Sequence, residues 1–291
     1  MRLLHTSDWH LGRVLHEHSL LEDQKHFLDG LLDHLRVNRY DALLLAGDVF
    51  DRAIPPEEAV ALWNGFLEAF CTECPDTALL AITGNHDSAT RVAVAARVIE
   101  RTGIHLRGGA ERLAEPVTIR DAEGAVARIW MVPFLWSGSL QEGADGQRVL
   151  QTQEEALAEA VRRIRAQADP AELNVLVAHC FASGGQVSDS ERTLVGTAVQ
   201  VDPGLFEGFD YVALGHLHRP QALGPRIRYS GTPLPYSFSE ASQRKSMAAV
   251  TLAKGVEPAV DLVPVQPFRA MMDLKGTLAE LQADPKYAGL E

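Results

Sequence analysis

Asp8, His10, Asp48, Asp51, Asn85, His86, His179, His216 and His218 are the residues of this 291-residue chain whose types and spacing could do chemistry. They fall in five short motifs: Asp8-Trp9-His10, Gly47-Asp48-Val49-Phe50-Asp51, Gly84-Asn85-His86-Asp87, Ala178-His179 and Gly215-His216-Leu217-His218. Carboxylate, carboxamide and imidazole without thiolate make a ligand set for Mn²⁺, Fe²⁺ or Zn²⁺ rather than an all-oxygen cage for Mg²⁺ or Ca²⁺. In DxH and HxH an extended backbone points residues i and i+2 the same way, so both can reach one centre. Glycine before Asp48, Asn85 and His216 lets the chain turn sharply and approach closely. Two such ions about 3.5–4 Å apart can clamp a phosphoryl group and generate a hydroxide nucleophile near neutral pH. A single DxH, or a lone histidine in an apolar strand, would carry no such weight, because Asp and His also serve turns and cores. Five motifs in series do.

Each motif follows a short apolar run. Residues 3–7, 42–46, 79–82, 175–178 and 211–214 read as strands, several of them buried on both faces. In an open α/β sheet, functional groups collect beyond the carboxyl ends of such strands. Helical periodicity covers residues 20–37, 57 to about 70 behind Pro55-Pro56, 88–100 and 152–168. Further strands are expected at 117–119, 127–132, 227–230 and 248–252, giving a layered α/β plan. Residues 138–146 read as a surface loop, and Met271-Met272 as core. After Pro264 a new unit begins that one strand and a short helix cannot complete.

Composition narrows the function classes. An apolar fraction of 46% supports a sizeable core and excludes disordered, collagen and coiled-coil classes. There is no run of ~18 apolar residues and no secretory h-region, so the expected address is the cytoplasm. Cys71, Cys74 and Cys180 make no disulfide framework. Lys+Arg 27 against Asp+Glu 39 leaves a net charge of −12, unlike a chain that grips nucleic acid by its own surface field. A small substrate, a basic partner, or cations held by the carboxylates would each resolve that.

DxH, GDxxD, GNHD, H and GHxH, in this order, resemble the calcineurin-like metallophosphoesterase superfamily. LHTSDWHLG, AGDVFDRAIPP, GNHDS, VGT at 195–197, DYVALGHLHRPQ and GTPLPYSFSE are similar to its branch of bacterial recombination-nuclease subunits, over about residues 1–275. The resemblance implies a two-sheet α/β sandwich flanked by helices at 1–264, with the start of an incomplete capping domain at 265–291. It implies two divalent ions, with Mn²⁺ expected. Asp8, His10, Asp48 and His218 resemble the ligands of one, and Asn85, His179 and His216 those of the other, with Asp48 bridging. His86 resembles the catalytic histidine, and Asp51 the carboxylate that orients it. The implied activity is DNA hydrolysis: exonuclease at duplex ends, endonuclease at hairpins and single strands, in repair, recombination and replication. The implied partner is a coiled-coil ABC-type ATPase, and the implied location is the nucleoid.

The family also implies a homodimer through helices of the 57–100 region. Leu62, Phe66 and Phe70, then Ala59, Trp63 and Leu67, then Val92, Val94, Ala95, Val98 and Ile99 carry more apolar surface than one face needs. Phe66→Asp and Val94→Asp are accordingly expected to give a folded monomer. A second reading, a phosphodiesterase of cyclic or dinucleoside phosphates with the same metals, is favoured by the acidic charge. GNHD in place of GNHE counts against a protein phosphatase, and the filled ligand positions count against a bare scaffold.

Overall fold

In Ala42–Ala46, Leu43 and Leu45 point to one face and Ala42, Leu44 and Ala46 to the other, and all five are buried. A strand of that kind needs cover on both sides, and the computed structural model, which describes residues 1–142, 148–191 and 200–287, supplies it. The VGT motif at 195–197 lies outside the described residues. One six-stranded sheet runs in the order Ala259–Pro264, Ser246–Thr251, Arg2–Thr6, Ala42–Ala46, Ala78–Ile82, Ile104–Arg107, the last four mutually parallel. The second runs Gln221–Ala222, Ile227–Tyr229, Tyr211–Gly215, Leu173–His179, Val126–Val132, Val117–Arg120, with its four inner strands parallel.

The sheets face each other through Leu44, Leu80 and Ile82 on one side and Met131, Val175 and Tyr211 on the other. The helices Leu21–Val37 and Glu57–Glu73 cover the outer face of the first sheet with Leu31, Leu35, Trp63 and Phe70. Gln153–Arg165, opened by a Thr152/Glu155 capping box, covers the second with Leu157, Val161 and Ile164. The expected two-sheet sandwich flanked by helices is the fold. No described helix is long and apolar enough to cross a membrane.

Four local expectations are corrected. The helix expected at 88–100 is broken into Ala89–Val92 and Ala96–Ile99, because Ala95 takes a left-handed backbone (φ 54°). Ser88 caps nothing with its side chain, and the break lets Val92 and Ile99 both turn to the core while Val94 and Val98 stay exposed. Phe66 is buried, its ring 5.1 Å from that of Trp9, so it belongs to the core and Phe66→Asp would bury a charge rather than free a monomer. Met272 is exposed and Met271 only half-buried, since among the described residues no layer covers them. The segment read as a loop at 138–146 includes Gln141–Glu142, which pairs antiparallel with Arg148–Val149.

Candidate metal centre

The five motifs meet where the carboxyl ends of both sheets converge. Asp8, His10, Asp48, Asn85 and His86 come from the first sheet, and His179, His216 and His218 from the second. The turns that bring them together are strained. Asp8 (φ 54°), His10 (φ 45°), Asp48 (φ 50°) and His216 (φ 103°) all take a left-handed backbone that L-residues avoid. Strain of this kind persists only where the surroundings over-determine it, and it clusters at functional sites. Close approach explains two glycines: a Cβ on Gly84 would sit 2.1 Å from Asp48 Oδ1, and one on Gly215 1.8 Å from the Ala46 carbonyl oxygen.

Candidate ligand atoms of Asp8, His10 and His218 lie within 4.8 Å of one another, as do those of Asp8, Asp48 and His179, and those of His10, Asp48 and His86. His179 Nδ1 donates to the Ala46 carbonyl at 2.8 Å, which leaves Nε2 3.0 Å from Asn85 Oδ1 and 3.4 Å from Asp48 Oδ2. His216 Nδ1 reaches the same Asn85 oxygen at 2.9 Å. Asp8 accepts from the His216 backbone N–H at 2.9 Å. Neither ring nitrogen of buried His10 has a hydrogen-bond partner among the described residues, nor does His216 Nε2. Orphaned buried imidazole nitrogens are costly and need an explanation. Cations bound among them provide one, and the mixed oxygen and nitrogen donors suit the expected divalent ions.

The electrostatics agree. Burial drives His10 far below its usual value and His216 to about 3, so both offer neutral lone pairs. Burial lifts Asp8 to about 7. Burial opposes charge on His179 and Asp48 too, but each outweighs it for the other: His179 is held up at about 9 and Asp48 well below the carboxylate range. A cation must displace the protons of His179 and Asp8. Affinity for a divalent ion should therefore rise as pH climbs through 7 toward 9, with protons released, as calorimetry in two buffers of different ionisation enthalpy would read. Affinity flat across that range would contradict the assignment. By the same linkage the metal-free chain draws stability from the His179–Asp48 pair below 6.5 and loses it as pH rises through about 9.

His86 stands at the rim, half-buried. Its backbone N–H donates to Asp48 Oδ1 at 2.9 Å, and its Nδ1 to the Asp51 carbonyl at 2.8 Å. Asp51 does meet His86, but through its backbone oxygen rather than its carboxylate. The carboxylate instead accepts from Arg13 at 2.8 Å and lies 3.7 Å from His10 Nδ1.

Sequence reasoning missed three supports. Asp87 is buried and accepts from the N–H groups of Val49 (3.0 Å), Phe50 (2.9 Å) and Gly84 (3.0 Å), stapling the second motif to the third. Burial, then the charge on Asp48, raise it to about 7. Gln24 Nε2 donates to the His10 carbonyl at 2.7 Å. Ser190 Oγ accepts from His218 Nδ1 at 2.7 Å and donates to Glu240 Oε1 at 2.6 Å, and Lys245 Nζ sits 2.6 Å from Glu240 Oε2. This chain fixes the His218 tautomer with Nδ1 protonated and Nε2 free to bind. Glu240 ends the GTPLPYSFSE segment and Asp87 ends GNHD, so both are signalled, whereas Ser190, Gln24 and Lys245 carry no local pattern.

The calcineurin-like phosphoesterase family matches residues 1–220. A Staphylococcus epidermidis protein named as the SbcD component of the nuclease SbcCD is 31% identical over 283 residues, covering 97% of this chain and 74% of its own. One of the same name from Staphylococcus saprophyticus is 33% identical over 278 residues, covering 95% and 72%. Among solved structures, TT1561 of Thermus thermophilus matches with a TM-score of 0.50 at 14% identity, covering 91% of this chain and 99% of that one. GAP50, the anchor in the inner membrane complex of Plasmodium, matches at 0.53 with 11% identity, covering 94% and 87%. At such identities these two speak for the fold alone.

Proposed function

The chain belongs to the calcineurin-like phosphoesterases and, within them, to the SbcD family of SbcCD nuclease components; from that premise we propose how its residues divide the work of a metal-dependent DNA nuclease. Asp8, His10, Asp48 and His218 hold one divalent ion; Asp48, Asn85, His179 and His216 hold the other. The ions, Mn²⁺ in this reading, supply Lewis-acid polarisation of the phosphodiester and a water acidic enough to attack it. Asp48, which belongs to candidate groups on both sides, would be the shared ligand and would set the spacing of the pair. His86 uses Nδ1–H on the Asp51 carbonyl, which turns Nε2 toward the phosphodiester; an Nε2 that also carries a proton would hand it to the departing alkoxide, leaving the neutral ring. Asp51 acts by positioning, through that carbonyl and through Arg13. The observation that carries the proposal is the buried convergence of both sheets' strand ends on His10 and His216, where both His10 ring nitrogens and His216 Nε2 have no hydrogen-bond partner among the described residues.

The net charge of −12 supports a partner that supplies most of the phosphate contacts, an SbcC-type coiled-coil ABC ATPase. Residues 265–287 would begin a capping domain, which their exposed Phe268, Met272 and Leu278 support. Exposed Val94 and Val98 support a homodimer through that face; sedimentation as a monomer at micromolar concentration would remove it. A cytoplasmic, nucleoid-associated setting goes with the reading.

The same acidic charge favours a small-molecule phosphodiesterase as the second reading. Linear duplex DNA and a cyclic nucleotide, each with Mn²⁺ and with EDTA, separate the two. The nuclease reading expects Mn²⁺-dependent DNA cleavage that EDTA abolishes. Rapid turnover of the cyclic nucleotide with the DNA left intact would contradict it.

A further inference from the structure

One strand end at the centre bears no ligand motif. Val126–Val132 runs between Val117–Arg120 and Leu173–His179, and beyond its carboxyl end come Phe134 and Trp136. The Phe134 N–H donates to the Thr83 carbonyl at 2.9 Å, which ties this end to the turn that carries Asn85 and His86. The Phe134 ring lies 6.1 Å from that of His179 and 6.4 Å from that of His216, so it walls the metal cluster. Trp136 packs on Phe134 edge to face, with ring centroids 4.8 Å apart.

Trp136 is nonetheless 57% exposed. It lines a cleft of about 600 Å³ with Ala89, Gly108, Phe134 and Arg163, and Ala89 is three residues beyond His86. That volume falls in the range of about 300–1,000 Å³ typical of sites for small organic ligands. A rigid indole open to a cleft, and seated on a second ring that faces His179 and His216, has the form of a stacking platform. Every nucleobase has a π-face to offer it, and stacking needs no basic surface. That matters for a chain with net charge −12.

We propose that Trp136, seated on Phe134 at the edge of the metal cluster, stacks on a nucleobase adjoining the scissile phosphodiester and so positions the strand for cleavage. The proposal rests on the nuclease reading and names a subsite for it. The ligand class is an unpaired nucleobase, as at a frayed duplex end, a hairpin loop or a single strand. Trp136 is a positioning residue rather than a catalytic one.

The chain reports on this directly, because Trp9, Trp63 and Trp130 are buried and Trp136 alone of its four tryptophans is exposed. A labelled single-stranded oligonucleotide, titrated in EDTA at low salt, should quench tryptophan emission in step with its own anisotropy. Trp136→Phe should keep the anisotropy change. Trp136→Ala should raise the KM for Mn²⁺-dependent cleavage about tenfold with little change in kcat, a stacking-sized loss. On an oligonucleotide with an abasic site at the adjoining position, wild type and Trp136→Ala should become alike. DNA bound and cut by the wild type with emission unchanged, or the same KM penalty on the abasic strand, would overturn the stacking role and leave the nuclease reading standing. No cleavage of DNA by the Mn²⁺-loaded wild type would overturn both.

Discussion

Asp48→Ala should abolish metal loading and cleavage together, whereas His86→Ala should keep the metal and lose about 10²–10⁴-fold in turnover, the usual range for a proton-handling side chain. Asp48 lies within ligand distance of Asp8 and His179 on one side and of His10 on the other, and it also receives the His86 backbone N–H. Removing its carboxylate unbinds both ion positions and leaves the His179 proton without its counter-charge. Asp48 holds a left-handed backbone, which Asn tolerates better than Ala, so Asp48→Asn is the control for folding, with the carboxylate charge removed and an oxygen kept. His86 touches the cluster through backbone and ring edge and holds no other ligand in place. Equilibrium dialysis beside single-turnover kinetics reads both quantities. Metal lost in His86→Ala and kept in Asp48→Ala would reverse the roles.

Lys245→Met should cost about 3–5 kcal/mol of stability, the usual penalty for stranding one member of a buried ion pair. Glu240 is fully buried and Lys245 nearly so, and the ammonium also donates to the His218 carbonyl (2.9 Å) and to Thr232 Oγ1 (2.8 Å). Burial pushes the Glu240 carboxyl up, but His218 and Lys245 outweigh it and hold the group well below its ordinary 4.5. Its contribution is therefore complete above pH 4.5 and lost as pH falls through the depressed value. Because Glu240 also holds Ser190 against His218, Lys245→Met should weaken metal affinity as well. Pairing it with Glu240→Gln removes the stranded charge and should recover much of the stability. Denaturant unfolding of the three variants tests this; a single variant as stable as wild type would show that the pair is not an effective buried ion pair.

The fold and the candidate ligand set are legible for one reason: each motif is local. Residues two apart at the end of an apolar strand declare both the strand and the direction of their side chains, so Asp8, His10, His216 and His218 can be read directly. That two sheets bring them together is a long-range fact, and it comes from the resemblance. What periodicity misreads are elements whose apolar residues exceed one face. Phe66 reads as surplus because nothing local says that Trp9 occupies the space beneath it. The break at Ala95 depends on the core drawing in both Val92 and Ile99. For Asp51 the motif shows the residue and not which of its oxygens meets His86. The Ser190–Glu240–Lys245 support joins residues about fifty apart in sequence, beyond any spacing rule.

The assignment of the two ion positions is tested most directly by anomalous scattering from crystals of the Mn²⁺-loaded chain. Two peaks about 3.5–4 Å apart are expected. One should be held by Asp8, His10 and His218 and the other by Asn85, His179 and His216, with Asp48 between them. A single peak, or a pair that leaves His10 and His216 without a metal contact, would contradict it.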